Sequence, residues 1–307
     1  MANVLAILLS PRKTGFTSGL LDSAIKGAEN NPKISIDYVR AYDYDFGPCT
    51  ACSSCIRHPE NYCVLNDDMG RRGEGALFQK VLKANALIIA QPVYCWGSTA
   101  KTHLFIERLY PFLSHNNLHG LPFASISCAG NQGMMHIADV ELAKWAFTMK
   151  FLYIEGLPVH TVYYDEALKH AQYIGKKIAE AAVNDENEGR HHLSDEESWF
   201  YYMDKPWNAF EHYLSNLTRG TNKWENSLIE YALAQETITN LNARGMLEEA
   251  LEALKETINA KNLFDYSRAQ KQLLKASALW THATFIENCE KLGIKAEMPE
   301  GYRPLQD

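Results

Sequence analysis

The sequence predicts an α/β fold, a doubly wound five-stranded parallel sheet, carrying an all-helical C-terminal extension. Three observations predict it. Short apolar runs alternate with helical patterns from residue 4 to about 183, an acidic stretch then breaks the pattern, and only helical periodicity follows. The 307 residues, 46% of them hydrophobic and 22% charged, supply enough apolar material for two modest domains.

The apolar runs are residues 4–9, 34–39, 86–90, 123–127 and 159–163. Each is rich in β-branched or large apolar side chains and short enough for a buried strand. Helical patterns lie between and after them, near residues 17–28, 76–83, 100–113, 137–151 and 166–183. A strand–helix succession of this kind suits parallel strands with helices on both faces. Five such strands suggest the flavodoxin-like order 2-1-3-4-5, in which ligands bind at the carboxyl ends of the strands.

Residues 1–184 are therefore read as one domain, 185–197 as an acidic linker and 198–307 as a helical domain. The linker reading rests on Asp185, Glu186, Glu188, Asp195, Glu196 and Glu197 standing among almost no apolar residues. Beyond it Trp199, Phe200, Tyr201, Tyr202, Trp207, Phe210, Tyr213 and Trp224 crowd one segment. Rings of this size each bury about 150–250 Å². They either dock the helical part onto the first domain and help form an oligomer, or fill the helical part's own core. Long helical patterns at 246–261 and 267–292 follow. A turn at Ala243-Arg244-Gly245 is similar to a tetratricopeptide turn, but no second copy occurs at the required period, which excludes a repeat array.

Composition narrows the partners. A formal net charge of -7, from 30 Lys and Arg against 37 Asp and Glu, gives no overall field for nucleic acid or anionic membrane. No run of roughly 18 apolar residues is available to span a bilayer. The apolar start runs into Pro11, Arg12 and Lys13 instead of a small-residue cleavage site, so a cytoplasmic location is expected. Seven cysteines then read as thiols or metal ligands instead of a disulfide framework.

The loop after the first strand reads Ser10-Pro11-Arg12-Lys13-Thr14-Gly15-Phe16-Thr17-Ser18. Hydroxyls, two cations, a glycine and a helix N-terminus meet here, the donor set that a phosphate dianion needs. It has neither P-loop nor dinucleotide-fingerprint spacing. Ser10, Arg12, Thr14, Gly15, Phe16, Thr17 and Ser18 are the candidate phosphate contacts; the alternative is an ordinary turn with Thr17 or Ser18 as helix cap. After the third strand, Pro92, Val93, Tyr94, Cys95, Trp96 and Gly97 form an apolar, aromatic loop at the same sheet edge. Such a loop can hold a planar ring; its rings could equally pack on their own helix. Ala129 and Gly130, in Cys128-Ala129-Gly130-Asn131-Gln132-Gly133 after the fourth strand, offer a third edge loop where backbone can approach a ring.

Cys49, Cys52 and Cys55 are spaced by two residues each, and Cys63 follows after seven more. Short spacers let three thiolates converge and the longer arm returns a fourth, which suits one four-iron (4Fe-4S) cluster. Structural zinc, and a metal-free or disulfide-forming thiol loop, are the alternatives. Cys95, Cys128 and Cys289 are scattered and read as buried thiols.

These motifs resemble the NAD(P)H-dependent FMN reductase family, including its iron–sulfur flavoproteins. The matching residues are Ser10-Pro11-Arg12 with Gly15-Phe16-Thr17, Pro92-Val93-Tyr94, the Ser98 to Ala100 step and Phe105-Ile106-Glu107-Arg108. Leu9, Phe16 and Cys95 depart from that family's usual glycine, asparagine and tryptophan. The compact cysteine motif followed by Asp67-Asp68-Met69 sharpens the cluster reading. The resemblance covers about residues 3–180. It implies FMN with its phosphate on the first loop, NAD(P)H as cosubstrate, and a quinone, flavin, cluster or other small-molecule acceptor. It also implies a homodimer or homotetramer with the flavin near the subunit boundary. The flavin carries the chemistry, so no catalytic side chain is nominated. The other function in view is an electron carrier that relays electrons to a redox protein such as ferredoxin. His191-His192 with Asp195 and Glu196 is set aside as solvated linker, and Gly70-Arg71-Arg72-Gly73-Glu74-Gly75 is expected to be a flexible loop.

Overall fold

The computed structural model describes residues 1–295; residues 296–307, the end of the expected helical domain, lie outside the described part. The chain divides into two units, 1–192 and 193–307.

The first unit is built on five parallel strands in the order β2-β1-β3-β4-β5, namely β1 (Ala2–Leu8), β2 (Ile34–Arg40), β3 (Ala86–Pro92), β4 (Pro122–Ala129) and β5 (Leu152–His160). The fold is flavodoxin-like. Strands β3 and β4 are buried at every residue, as expected for central strands covered on both faces. On the edges, β2 and β5 are partly exposed; β5 carries Pro158, which edge strands tolerate, and a register shift opposite Phe123/Ala124 leaves Ile154 as an extra residue on β5.

Around the sheet lie α1 (Phe16–Glu29), α2 (Ser54–Arg57), α3 (Ala76–Leu82), α4 (Ala100–Glu107), α5 (Tyr110–His115), α6 (Met135–Thr148) and α7 (Tyr164–Glu188). Helices α1 and α7 pack on one face over Val4, Ala6, Leu8, Ile88, Ala124 and Ile126. Their approach is close: a Cβ on Gly175 would stand 1.9 Å from the Ala24 carbonyl oxygen, and one on Gly27 would stand 2.0 Å from that of Gln172.

Four boundaries depart from expectation. The fifth strand is Leu152–His160 instead of 159–163, because its half-exposed pattern, with Glu155 and Gly156 inside it, lacks a continuous apolar run. Helix α6 accordingly stops at Thr148, with Lys150 at φ 55° in the turn. The helix expected at 100–113 is two, α4 and α5, because Pro111 starts a new first turn. In the acidic stretch, α7 continues to Glu188, where Asp185 pairs with Arg190 (2.9 Å), and Asp195, Glu196 and Glu197 form the first turn of the next helix. Acidic residues there face the positive end of the helix dipole, so the charge run marks a helix start more than a solvated link.

The second unit, through the described residues, is helical: α8 (Asp195–Tyr201), α9 (Ala209–Leu217), α10 (Leu228–Ala234), α11 (Leu241–Asn262) and α12 (Tyr266–Lys291). Ser194 opens it with a capping box to Glu197. Within the aromatic segment Trp199 packs on Tyr213 at 4.9 Å and Trp207 stacks on His212 at 3.7 Å. The Glu287 carboxylate, 2% exposed, accepts the N–H groups of Asn240 and Thr239 at the start of α11. Those bonds hold its pKa down to about 2.

Gly175→Ala should destabilise the first unit by about 1–3 kcal/mol through overpacking, although alanine favours a helix by about 1 kcal/mol. Urea denaturation followed by circular dichroism checks this, and equal or greater stability would contradict the close α1–α7 contact.

Candidate functional site

Parallel strands deliver their carboxyl ends to one edge, and the loops after β1, β3 and β4 meet there. In the first loop Gly15 is the residue before α1, at φ 153° and ψ -171°, and no side chain caps the helix. That backbone region is essentially glycine's alone. Neither Thr17 nor Ser18 is the cap: the Ser18 hydroxyl donates to the Gly15 carbonyl at 2.9 Å, and the buried Thr17 hydroxyl bonds the Cys128 thiol, whose pKa burial pushes up. The opening N–H groups of α1 are thus left without a side-chain acceptor, the arrangement that receives an anion. Ser10 is buried, and its Oγ accepts from the Arg12 N–H at 3.2 Å. Arg12 and Thr14 are exposed. Phe16, 53% exposed, packs edge-on against Tyr164.

In the second loop Tyr94 and Gly97 pair across a two-residue turn. Cys95 and Trp96 occupy its tip at φ 50° and 68°, the left-handed pair of a type I′ turn. Tyr94 and Trp96 remain exposed; the Trp96 indole N–H donates to Gln132 at 3.1 Å, which ties this loop to the one after β4. Pro92 is buried and the Val93 N–H donates to the Cys128 carbonyl. Ala129 is buried, whereas Gly130 is exposed, and a Cβ there would meet only the Thr161 hydroxyl, at 3.8 Å. Cys95 is exposed instead of buried, because the turn leaves its side chain nothing to pack on.

Several residues of this edge were not expected. Glu141, from α6, accepts the Ser98 N–H at 2.8 Å. The buried Thr99 caps α4 and donates to the Leu9 carbonyl. His160 takes the Val162 N–H on Nδ1 and bonds the Asn131 carbonyl through Nε2. Apart from the Thr99 cap and the His160–Val162 bond, which are local, these contacts join residues distant in sequence and have no local signature.

The cysteine loop lies beyond β2. Cys49, Cys52, Cys55 and Cys63 line one cavity of about 240 Å³ with Glu107 and Arg108 from α4. Burial, and then the neighbouring Cys63, Cys49 and Cys52 sulfurs, push the Cys55 thiol up to about 11. Among the described residues no group of three His, Cys, Asp or Glu is disposed to enclose an ion. The four thiols nevertheless line a single cavity wall, and cysteine sulfur is the donor type that an iron–sulfur cluster takes.

Helix α4 grips this loop along its length. Lys101 donates to the Tyr44 carbonyl and lies 3.5 Å from the Phe46 ring centre. Glu107 accepts the Cys49 N–H at 3.2 Å. Arg108, 1% exposed, makes a two-point pair with Asp67 (2.5 and 2.8 Å) and also donates to the Gly47 carbonyl. Burial raises the Asp67 pKa, but the Arg108 bond and charge outweigh it and hold the carboxyl below its usual value. The loop at 70–75 is pinned instead of flexible: the Arg71 and Arg72 N–H groups donate to the Leu65 and Cys63 carbonyls at 2.6 and 2.7 Å.

These features define a flavodoxin-like α/β protein with an uncapped helix start after β1, exposed rings on the loop after β3, and a cysteine-lined cavity on the loop after β2. The family described as NADPH-dependent FMN reductase matches residues 2–163, and the chain belongs to it. An iron–sulfur flavoprotein of Archaeoglobus fulgidus is 32% identical over 179 residues, covering 57% of this chain and 78% of that protein. An iron–sulfur flavoprotein of Methanocaldococcus jannaschii is 24% identical over 196 residues, covering 58% of this chain and 95% of that one. Among solved structures, a flavone reductase aligns with a TM-score of 0.47 at 19% identity, over 63% of this chain and 66% of its own. Among the described residues no helix is long and apolar enough to cross a membrane.

Asp67→Asn would leave the buried Arg108 guanidinium without its counter-charge. It should cost about 3–5 kcal/mol, measured by denaturant unfolding; a loss under about 1 kcal/mol would show that the pair does not hold the loop.

Proposed function

We propose that the chain is an FMN-dependent oxidoreductase in which NAD(P)H or another donor supplies electrons and a quinone, flavin, iron–sulfur cluster or other acceptor takes them. The carrying observation is the uncapped start of α1 at Gly15, set at the same edge as the exposed rings of the Tyr94–Gly97 turn. FMN, when bound, would accept a hydride equivalent and release electrons to a second acceptor.

The residues present suit that cofactor. The first-turn N–H groups of α1, the Ser10 and Thr14 hydroxyls and the Arg12 guanidinium supply donors for a phosphate. Thr17 and Ser18 would contribute their N–H groups, since their hydroxyls are already committed to Cys128 and Gly15. The Tyr94–Gly97 turn, Pro92, Val93, Ala129 and Gly130 would wall the isoalloxazine ring, and the Trp96–Gln132 bond would hold two of those loops at a fixed separation. No acid–base pair is required, and none is assigned. Phe16, Tyr94 and Trp96 leave apolar surface at this edge for a nicotinamide, an acceptor or a second copy of the chain, as a homodimer or homotetramer would provide.

Replacing Arg12 by alanine should weaken FMN by about 1.5–3 kcal/mol, read by fluorescence titration of the apoprotein. Unchanged affinity would remove the phosphate from this loop.

The four thiols around one cavity favour a second reading, an electron carrier in which a 4Fe-4S cluster on Cys49, Cys52, Cys55 and Cys63 relays single electrons to a protein such as ferredoxin. Anaerobically purified chain should then contain iron and acid-labile sulfide, and negligible amounts after reconstitution would exclude the cluster. Sustained NAD(P)H oxidation with quinone or free flavin supports the enzyme; its absence, with ferredoxin reduction intact, supports the carrier.

A further inference from the structure

Arg108 has more hydrogen bonds than a structural clamp on Asp67 requires. Its Nη1 donates to the Gly47 carbonyl and to Asp67 Oδ2, and its Nη2 to Asp67 Oδ1. Nη2 also lies 3.2 Å from Cys63 Sγ. Cys63 is the cysteine with the longest spacer to the other three, and its own carbonyl is held by the Arg72 N–H. Asp67 fixes the plane of the guanidinium, so the direction of the fourth N–H is set before any metal arrives.

We infer that Arg108 is a positioning residue for the cluster site, aiming the Cys63 sulfur into the cavity and raising the cluster's reduction potential through the Nη2–H to Sγ hydrogen bond. The inference rests on the cluster reading above. A cationic donor on a ligating sulfur draws electron density from it and stabilises the reduced, more negative cluster, and hydrogen bonds to the sulfurs are among the factors that set these potentials. Lysine cannot replace arginine here, because one ammonium on a flexible stem cannot reach Asp67, Gly47 and Cys63 with fixed geometry.

The test is the Arg108→Lys chain purified anaerobically beside the unaltered protein, with flavin content as the check on folding. Expected are a midpoint potential more negative than that of the unaltered protein, in a redox titration followed by electron paramagnetic resonance, and iron loss to a chelator about 10–100-fold faster. A purely structural role would lower the unfolding midpoint and leave the potential where it was, and that result overturns the inference. Unaltered protein that binds flavin but holds no iron or sulfide fails the cluster reading itself and takes the inference with it. Should Arg108→Lys not fold, pulsed resonance of the reduced cluster in an Arg57→Lys chain grown with arginine labelled with nitrogen-15 in the guanidinium only replaces it, so that the Arg72 backbone nitrogen near Cys63 stays unlabelled. Arg57 is changed because its guanidinium also lies in the loop. A coupled nitrogen-15 signal supports the bond, and its absence overturns it.

Discussion

Parallel pairing with β1 between β2 and β3 is the constraint on which the site depends. A parallel sheet sends every strand end to the same edge. The chain leaves β1 toward one face and β3 toward the other, so the loops after them part and leave a crevice. The residues proposed for flavin binding lie on the loops, strand ends and helix start at this edge, and they could not be brought together by local sequence alone. The α1–α7 contact secures one wall by admitting no side chain at Gly175 or Gly27. The start of α1, and with it the donor array before Phe16, is then fixed relative to the sheet.

The second organising element is charge buried in pairs. Arg108 sits where an unpaired cation would be costly, and Asp67 makes it tolerable. In return, three stretches of the cysteine loop, at Gly47, Cys63 and Asp67, are bound to one helix. The loop has little regular structure of its own, with Ala51, Ser53, Tyr62, Arg71 and Arg72 all at positive φ. Its shape is imposed from α4 instead of by propensity.

Much of this was legible beforehand. Continuous apolar runs marked β1, β3 and β4, because central strands are buried on both faces. The edge strand β5 was misplaced for the converse reason. The loops after β1 and β3, where phosphate and ring contacts are proposed, stood out as residue types at strand ends, and the cysteines as spacing. What sequence could not show was partnership: that Ser18 spends its hydroxyl on Gly15, that Glu141 reaches Ser98, or that Arg108 touches Cys63. Acidic residues at 195–197 misled because a solvated linker and a helix first turn share one composition.

Helix α4 also acts as a ruler. Thr99, which caps its start, is bonded to the Leu9 carbonyl just past β1, and Arg108, just past its last turn, is bonded to the cysteine loop. At about 1.5 Å rise and 100° rotation per residue, one added or deleted residue between them would swing the guanidinium about a quarter-turn away from Asp67. A change of length would break both attachments at once, so the spacing between Thr99 and Arg108 is constrained independently of which residues lie between them.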